Sequence, residues 1–118
     1  MLKITSLIGG ISIAFMTLNA AAQAADAVKI ACTGDMLEPG GLTKSPTTAT
    51  AVFSPGKNVS KVSIDLGKGS ISAQVLSNNS LQLRFRTKEF TGEYFHYTRD
   101  LFLIYKSGHL ARLTCTPS

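Results

Sequence analysis

The chain has no tryptophan, and only two histidines and two cysteines among its 118 residues. Two Cys and two His could supply at most one four-ligand zinc site, and no C-x-x-C pair provides the spacing such sites use. Carboxylates are also scarce: Asp and Glu total 7 against 12 Lys and Arg, a formal net charge of +5. There is no G-x-S-x-G elbow to present a nucleophilic serine. The one Pro-Gly-Gly run, Glu38-Pro39-Gly40-Gly41, precedes no helical pattern, which excludes a phosphate-cradling loop. Heptads, collagen triplets and longer internal repeats are absent. What is present is apolar residues at 44%, enough for the core of one small domain and too many for a disordered chain.

The first residues read as an address. Met1-Leu2-Lys3 supplies one positive charge, Ile4 to Leu18 is apolar apart from Thr, Ser and Gly, and an alanine-rich run ends in Ala22-Gln23-Ala24. Those are the three parts of a secretory signal peptide, residues 1–24, with cleavage before Ala25. An uncleaved anchor is the alternative, since no charge falls between Lys3 and Asp26. The short apolar segment and the small-residue end favour cleavage. The remaining domain, 25–118, is then periplasmic or secreted, with no membrane span after cleavage. Losing Lys3 lowers the net charge by one and leaves the domain cationic.

Export changes the reading of the cysteines. Cys32 lies near the start of the mature chain and Cys115 near its end. In an oxidising compartment an even pair in a small domain is most simply a disulfide. A reactive or metal-binding thiol pair is the rival, and it lacks the spacing. Closing so long a loop restricts the unfolded chain by about 4.5 kcal/mol in the chain-entropy account.

Hydrophobic residues in the mature part recur with period two. Val62-Ser63-Ile64-Asp65-Leu66 and Ile71-Ser72-Ala73-Gln74-Val75 alternate, and Leu81, Leu83 and Phe85 share one face while Gln82, Arg84 and Arg86 share the other. Such alternation marks half-buried strands. Cys32 in Val28–Cys32 and Cys115 in Ala111–Cys115 both fall on the apolar phase, as a bridge between terminal strands needs. Turn signals at Gly67-Lys68-Gly69, Ser77-Asn78-Asn79-Ser80 and Lys106-Ser107-Gly108 divide the strands. The fold expected is all-β: an antiparallel meander of about eight short strands forming a small barrel or sandwich. The strands fall near 28–33, 47–54, 59–66, 69–77, 80–87, 93–98, 100–106 and 109–116. Residues 34–46 read as the longest irregular loop. Leu101–Tyr105 is continuously apolar, so it is either buried on both faces or meets a partner with its outer face.

Ala31-Cys32-Thr33-Gly34, Val62–Gly67 and the ending Ala111-Arg112-Leu113-Thr114-Cys115-Thr116-Pro117 together resemble a class of small exported β-rich proteins common in proteobacteria. That class has a signal peptide, one Cys near each mature end and no assigned function, so it implies a fold and no catalytic residue. Its late Asp-Arg-x-Thr-Gly turn is replaced here by Tyr105-Lys106-Ser107-Gly108. Ser107-Gly108 is also similar to the Ser-Gly loop of periplasmic lysozyme inhibitors. The tyrosine expected after that loop is missing, and a cationic chain would be repelled by a cationic lysozyme.

Candidate sites are sparse. His96 and His109 could face each other across neighbouring strands with Glu93 or Asp100, a weak metal constellation. Ser107 and His109 are close in sequence, but a hairpin turn is expected to point them apart, with no buried Asp to orient the imidazole. Glu89 and Glu93 fall in an expected loop, poor support for a carboxylate pair. The most distinctive feature is basic and aromatic together: Arg84, Arg86, Lys88, Tyr94, Tyr97 and Arg99. Stacking aromatics beside Arg and Lys can bind nucleic acid on small β-barrels, and equally acidic glycans, anionic lipid headgroups or an acidic protein, although a solvated positive face over core aromatics is the ordinary alternative. Export argues against nucleic acid and points to an anionic envelope component or an acidic protein. The reading is therefore a non-enzymatic, cofactor-free binding domain of the cell envelope using this face. The alternatives are a lipocalin-like small barrel holding an apolar ligand and a lysozyme-inhibitor-like protein.

Overall fold

A computed structural model describes residues 27–54, 59 and 61–118. The signal peptide expected over 1–24 lies outside the described residues. Among those described, eight strands follow one another: β1 (Val28–Leu37), β2 (Lys44–Phe53), β3 (Lys61–Asp65), β4 (Ser70–Asn78), β5 (Gln82–Arg86), β6 (Phe90–Phe95), β7 (Asp100–Tyr105) and β8 (Leu110–Pro117). Each pairs antiparallel with the next, and β8 pairs back onto β1, so the meander closes into a barrel. Closure leaves no sheet edge to template pairing with another chain. Barrel is thus the outcome where barrel and sandwich were both open.

The seam carries the disulfide. Cys32 and Cys115 are direct partners in the β1–β8 ladder and are bonded at 2.05 Å. The inward phase assigned to both residues places their sulfurs together once the first and last strands meet.

Residues 34–46 are mostly strand, not loop. β1 continues to Leu37 and β2 begins at Lys44, leaving only a turn between them. Two ladders hold β1, with β2 on one side and β8 on the other, and together they outweigh the weak strand preference of Gly34. Gly34 itself is required, because a Cβ there would collide with the carbonyl oxygen of Arg112. Pro46 is tolerated because it lies in the half of β2 with no β3 partner, where a missing N–H costs no ladder bond on that side.

The sixth strand starts at Phe90, three residues before the expected position. Thr87 explains the shift: its Oγ1 accepts from Glu89 N at 3.2 Å and Phe90 N at 3.3 Å, while its own N–H donates to Phe90 O at 2.9 Å. This turn is complete by residue 89, so Glu93 is in strand and not in the loop expected for it. Leu81 is a second correction. Asn79 Oδ1 accepts from Leu81 N at 2.8 Å and Gln82 N at 3.0 Å, which holds Leu81 in the turn and leaves it 63% exposed, off the face shared by Leu83 and Phe85.

The interior is filled by side chains. Phe53, Val62, Ile64, Leu83, Phe85, Phe90, Tyr94, Leu101 and Leu103 are all buried and form one cluster. Phe85 finds its space because its ladder partner is Gly92. In β7, Leu101 and Leu103 point inward while Phe102 and Ile104 point outward, Phe102 edge-on to Phe95 at 5.9 Å.

Candidate functional site

In a meander, successive turns alternate between the two ends of the barrel. The β1–β2, β3–β4, β5–β6 and β7–β8 turns therefore share one end. Each brings an exposed lysine there: Lys44 as the first residue of β2, Lys68 between β3 and β4, Lys88 between β5 and β6, and Lys106 between β7 and β8. Arg86, the last residue of β5, adds a fifth cation. Four carboxylates lie toward the same end: Asp35, which lines a groove with Leu42 and Lys44, Glu38, Asp65 and Glu89. Asp65 Oδ1 accepts from Gly67 N at 2.7 Å and Gly69 N at 3.3 Å, and Glu38 pairs with His109.

Backbone contacts fix neighbouring turns together. Lys106 N donates to Glu89 O at 2.9 Å, joining the β5–β6 and β7–β8 turns. Two open grooves result. One, of about 430 Å³, is lined by Leu66 and Ile71 together with Lys68 and Lys88. The other, of about 360 Å³, runs between Lys88, Glu89, Tyr105, Lys106 and Ser107. Lys88 and Glu89 belong to both. Tyr105 has its phenol pushed above the usual value by burial, and the Glu89 carboxylate adds to the shift.

The basic and aromatic residues singled out in the sequence do not form one patch. Arg84 and Arg86 do share the outer face of β5 with Lys88 just beyond. Arg84 Nε faces Glu93 Oε2 at 3.5 Å, an ion-pair contact without hydrogen-bond geometry. Arg86 Nη2 donates to Gln74 Oε1 at 3.2 Å, a neutral partner. Tyr94 is inside the barrel at 6% exposure, packed against Phe53 at 5.6 Å, and its buried phenol is pushed up, with the Arg99 charge opposing. It follows the inward phase set by Phe90 and Gly92, which starting the strand at 93 concealed. Tyr97, 79% exposed, and Arg99 lie in the β6–β7 turn at the opposite end. Arg99 closes that turn with a φ of 63° and its N–H on Phe95 O at 2.8 Å.

The histidines are separated as well. His96 is at the β6–β7 end, with Nε2 2.8 Å from Asn78 Oδ1; His109 is at the lysine end. The cross-strand pairing considered for them does not form. Ser107 and His109, expected to point apart, are instead bonded: Ser107 Oγ lies 2.8 Å from His109 Nδ1, and His109 Nε2 lies 2.9 Å from Glu38 Oε2. The imidazole thus bridges the serine hydroxyl and the carboxylate through its two ring nitrogens. In the Ser-His-Asp relay of serine proteases the two ring nitrogens have the opposite partners. The Gly108 N–H, the nearest backbone donor in the turn, is spent on Tyr105 O at 3.0 Å. This chain of contacts fastens the β1–β2 turn to the β7–β8 turn. Glu38 is remote from Ser107 in sequence, and no local signal marked it.

Fold and site together define a small antiparallel β-barrel, closed by a disulfide at its seam and carrying an exposed lysine at each hairpin turn of one end. No protein-family model, no curated protein and no solved structure matches this chain.

Proposed function

We propose that this chain is a non-enzymatic binding protein of the cell envelope or its exterior that takes an anionic partner at the lysine end of the barrel. The observation that carries the reading is the gathering of Lys44, Lys68, Lys88 and Lys106, one from each hairpin turn at that end, with Arg86 beside them. Like charges on four separate turns repel one another, and nothing in the packing of the core requires them; an anionic partner would relieve that repulsion. Interior packing by four aromatic rings favours the outside of the barrel over a lipocalin-like cavity. The lysine end would also be repelled by a cationic lysozyme. Export through residues 1–24 supports a partner at the envelope, and the Cys32–Cys115 bond suits an oxidising compartment.

The test is a titration of the purified exported protein with heparin at low and moderate salt. Affinity should fall steeply with salt, since exposed charges are screened over about 10 Å at 0.1 M. Replacing Lys68, Lys88 and Lys106 together by Gln should abolish most of the binding while the melting temperature holds. Absence of binding at low salt, or binding that ignores salt, overturns the reading.

A further inference from the structure

Exposed apolar side chains stand among the lysines at this end. Leu42, at the tip of the β1–β2 turn, is 97% exposed, carried out by Gly40 and Gly41 with φ of 94° and 73°. Ile71 is exposed at the start of β4, and it lines one groove with Leu66, Lys68 and Lys88. A soluble polyanion makes no use of a fully exposed leucine. A ligand seated in either groove meets two of the lysines, either Lys68 with Lys88 or Lys88 with Lys106. A flat surface can engage all four turns together.

Apolar side chains surrounded by lysines complement one kind of surface. Phosphate headgroups attract the cations, and the boundary between headgroups and acyl chains accepts the leucine. Resting on the anionic-partner reading above, we infer that the lysine end docks on an anionic phospholipid bilayer, with Leu42 and Ile71 entering the headgroup region and Lys44, Lys68, Lys88 and Lys106 on the phosphates. The protein lies on the membrane and does not cross it. The other end is the competing surface: among the described residues it carries Lys29, Lys61 and Arg99 with Leu81 and Tyr97 exposed. Among the described residues, its β4–β5 and β6–β7 turns carry no lysine.

The experiment is flotation of the purified exported protein with vesicles of phosphatidylcholine alone or mixed with phosphatidylglycerol, run beside the heparin titration. Binding is expected only to the mixed vesicles. Each lysine near the surface contributes about fivefold, so the triple Lys68→Gln, Lys88→Gln, Lys106→Gln variant should lose on the order of a hundredfold in partitioning. Leu42→Ser should lose about tenfold on vesicles, from the apolar area it no longer buries, and nothing on heparin. Leu81→Ser and Tyr97→Ser should change neither. Heparin binding without vesicle binding overturns the bilayer inference and leaves the anionic-partner reading standing. Failure of both ligands overturns both. Vesicle binding lost through Tyr97→Ser but not through Leu42→Ser moves docking to the other end and overturns the inference. Because Leu42 is exposed in a turn, its variant should fold, and an unchanged melting temperature verifies this.

Discussion

The ring of Phe85 lies against the Cα of Gly92, in the space that a side chain on that residue would need. The two are ladder partners on β5 and β6, and both face the interior. An aromatic ring on one strand and a missing side chain on the next fill one layer of the core without strain. Gly92→Ala forces a methyl group into that ring. The expected cost is about 1–3 kcal/mol, visible as a lowered melting temperature. Combining it with Phe85→Leu should recover part of the loss, and a double-mutant cycle measures the coupling. Additive effects of the two changes would contradict this packing.

Reduction of the Cys32–Cys115 bond should destabilise the barrel by about 2–5 kcal/mol. The bond joins facing residues of the first and last strands, so it constrains the unfolded chain over nearly its whole mature length. Denaturant midpoints with and without reductant measure the effect. Equal midpoints would show that backbone pairing at the seam suffices alone.

Exchanging both Arg84 and Arg86 for Gln should leave stability within ~0.5 kcal/mol, as for most exposed substitutions. Arg84 makes only a surface ion-pair contact with Glu93, and Arg86 a single bond to Gln74. Heparin affinity should fall, but by less than in the triple lysine variant, because only Arg86 adjoins the lysine end. A larger loss than in the lysine variant would place the binding face on the β5 wall.

Alkaline pH should weaken the fold. Burial raises the phenol of Tyr94, and burial with Glu89 raises that of Tyr105, both from the ordinary value of 10.0. The folded state therefore holds its phenolic protons where the unfolded chain releases them. The stability this provides is full below pH 10.0 and is lost as pH rises through the raised folded values. Phenolate absorbance should rise together with unfolding above that pH. Tyr94→Phe and Tyr105→Phe should each flatten the alkaline fall in stability; an unaltered fall would exclude these phenols as its source.

Much of this barrel was legible in local pattern. Period-two alternation marked β1, β3, β4, β5 and β8, because an inward and an outward face are set by the pleat of each strand before any pairing occurs; β7 was marked by a continuous apolar run. The phases of Cys32 and Cys115 came the same way. Boundaries failed where a side chain competes with the ladder for backbone donors: Asn79 delays the start of β5 to Gln82 and Thr87 ends it at Arg86, and neither hydroxyl nor amide announces its partner in sequence. Residues 34–46 failed for the converse reason, since two flanking strands impose extended structure on a segment that has little preference for it.

The binding surface was decided by tertiary structure. The sequence alone determined that there would be exposed cations and hairpin turns, since a wet strand face and a glycine-rich turn are local properties. It could not assign Lys44, Lys68, Lys88 and Lys106 to one end and Tyr97 with Arg99 to the other. That partition depends on strand order and closure, which bring together residues tens of positions apart. The same holds for Glu38, Ser107 and His109, whose contact exists only because β8 returns to β1 and sets the first turn beside the last.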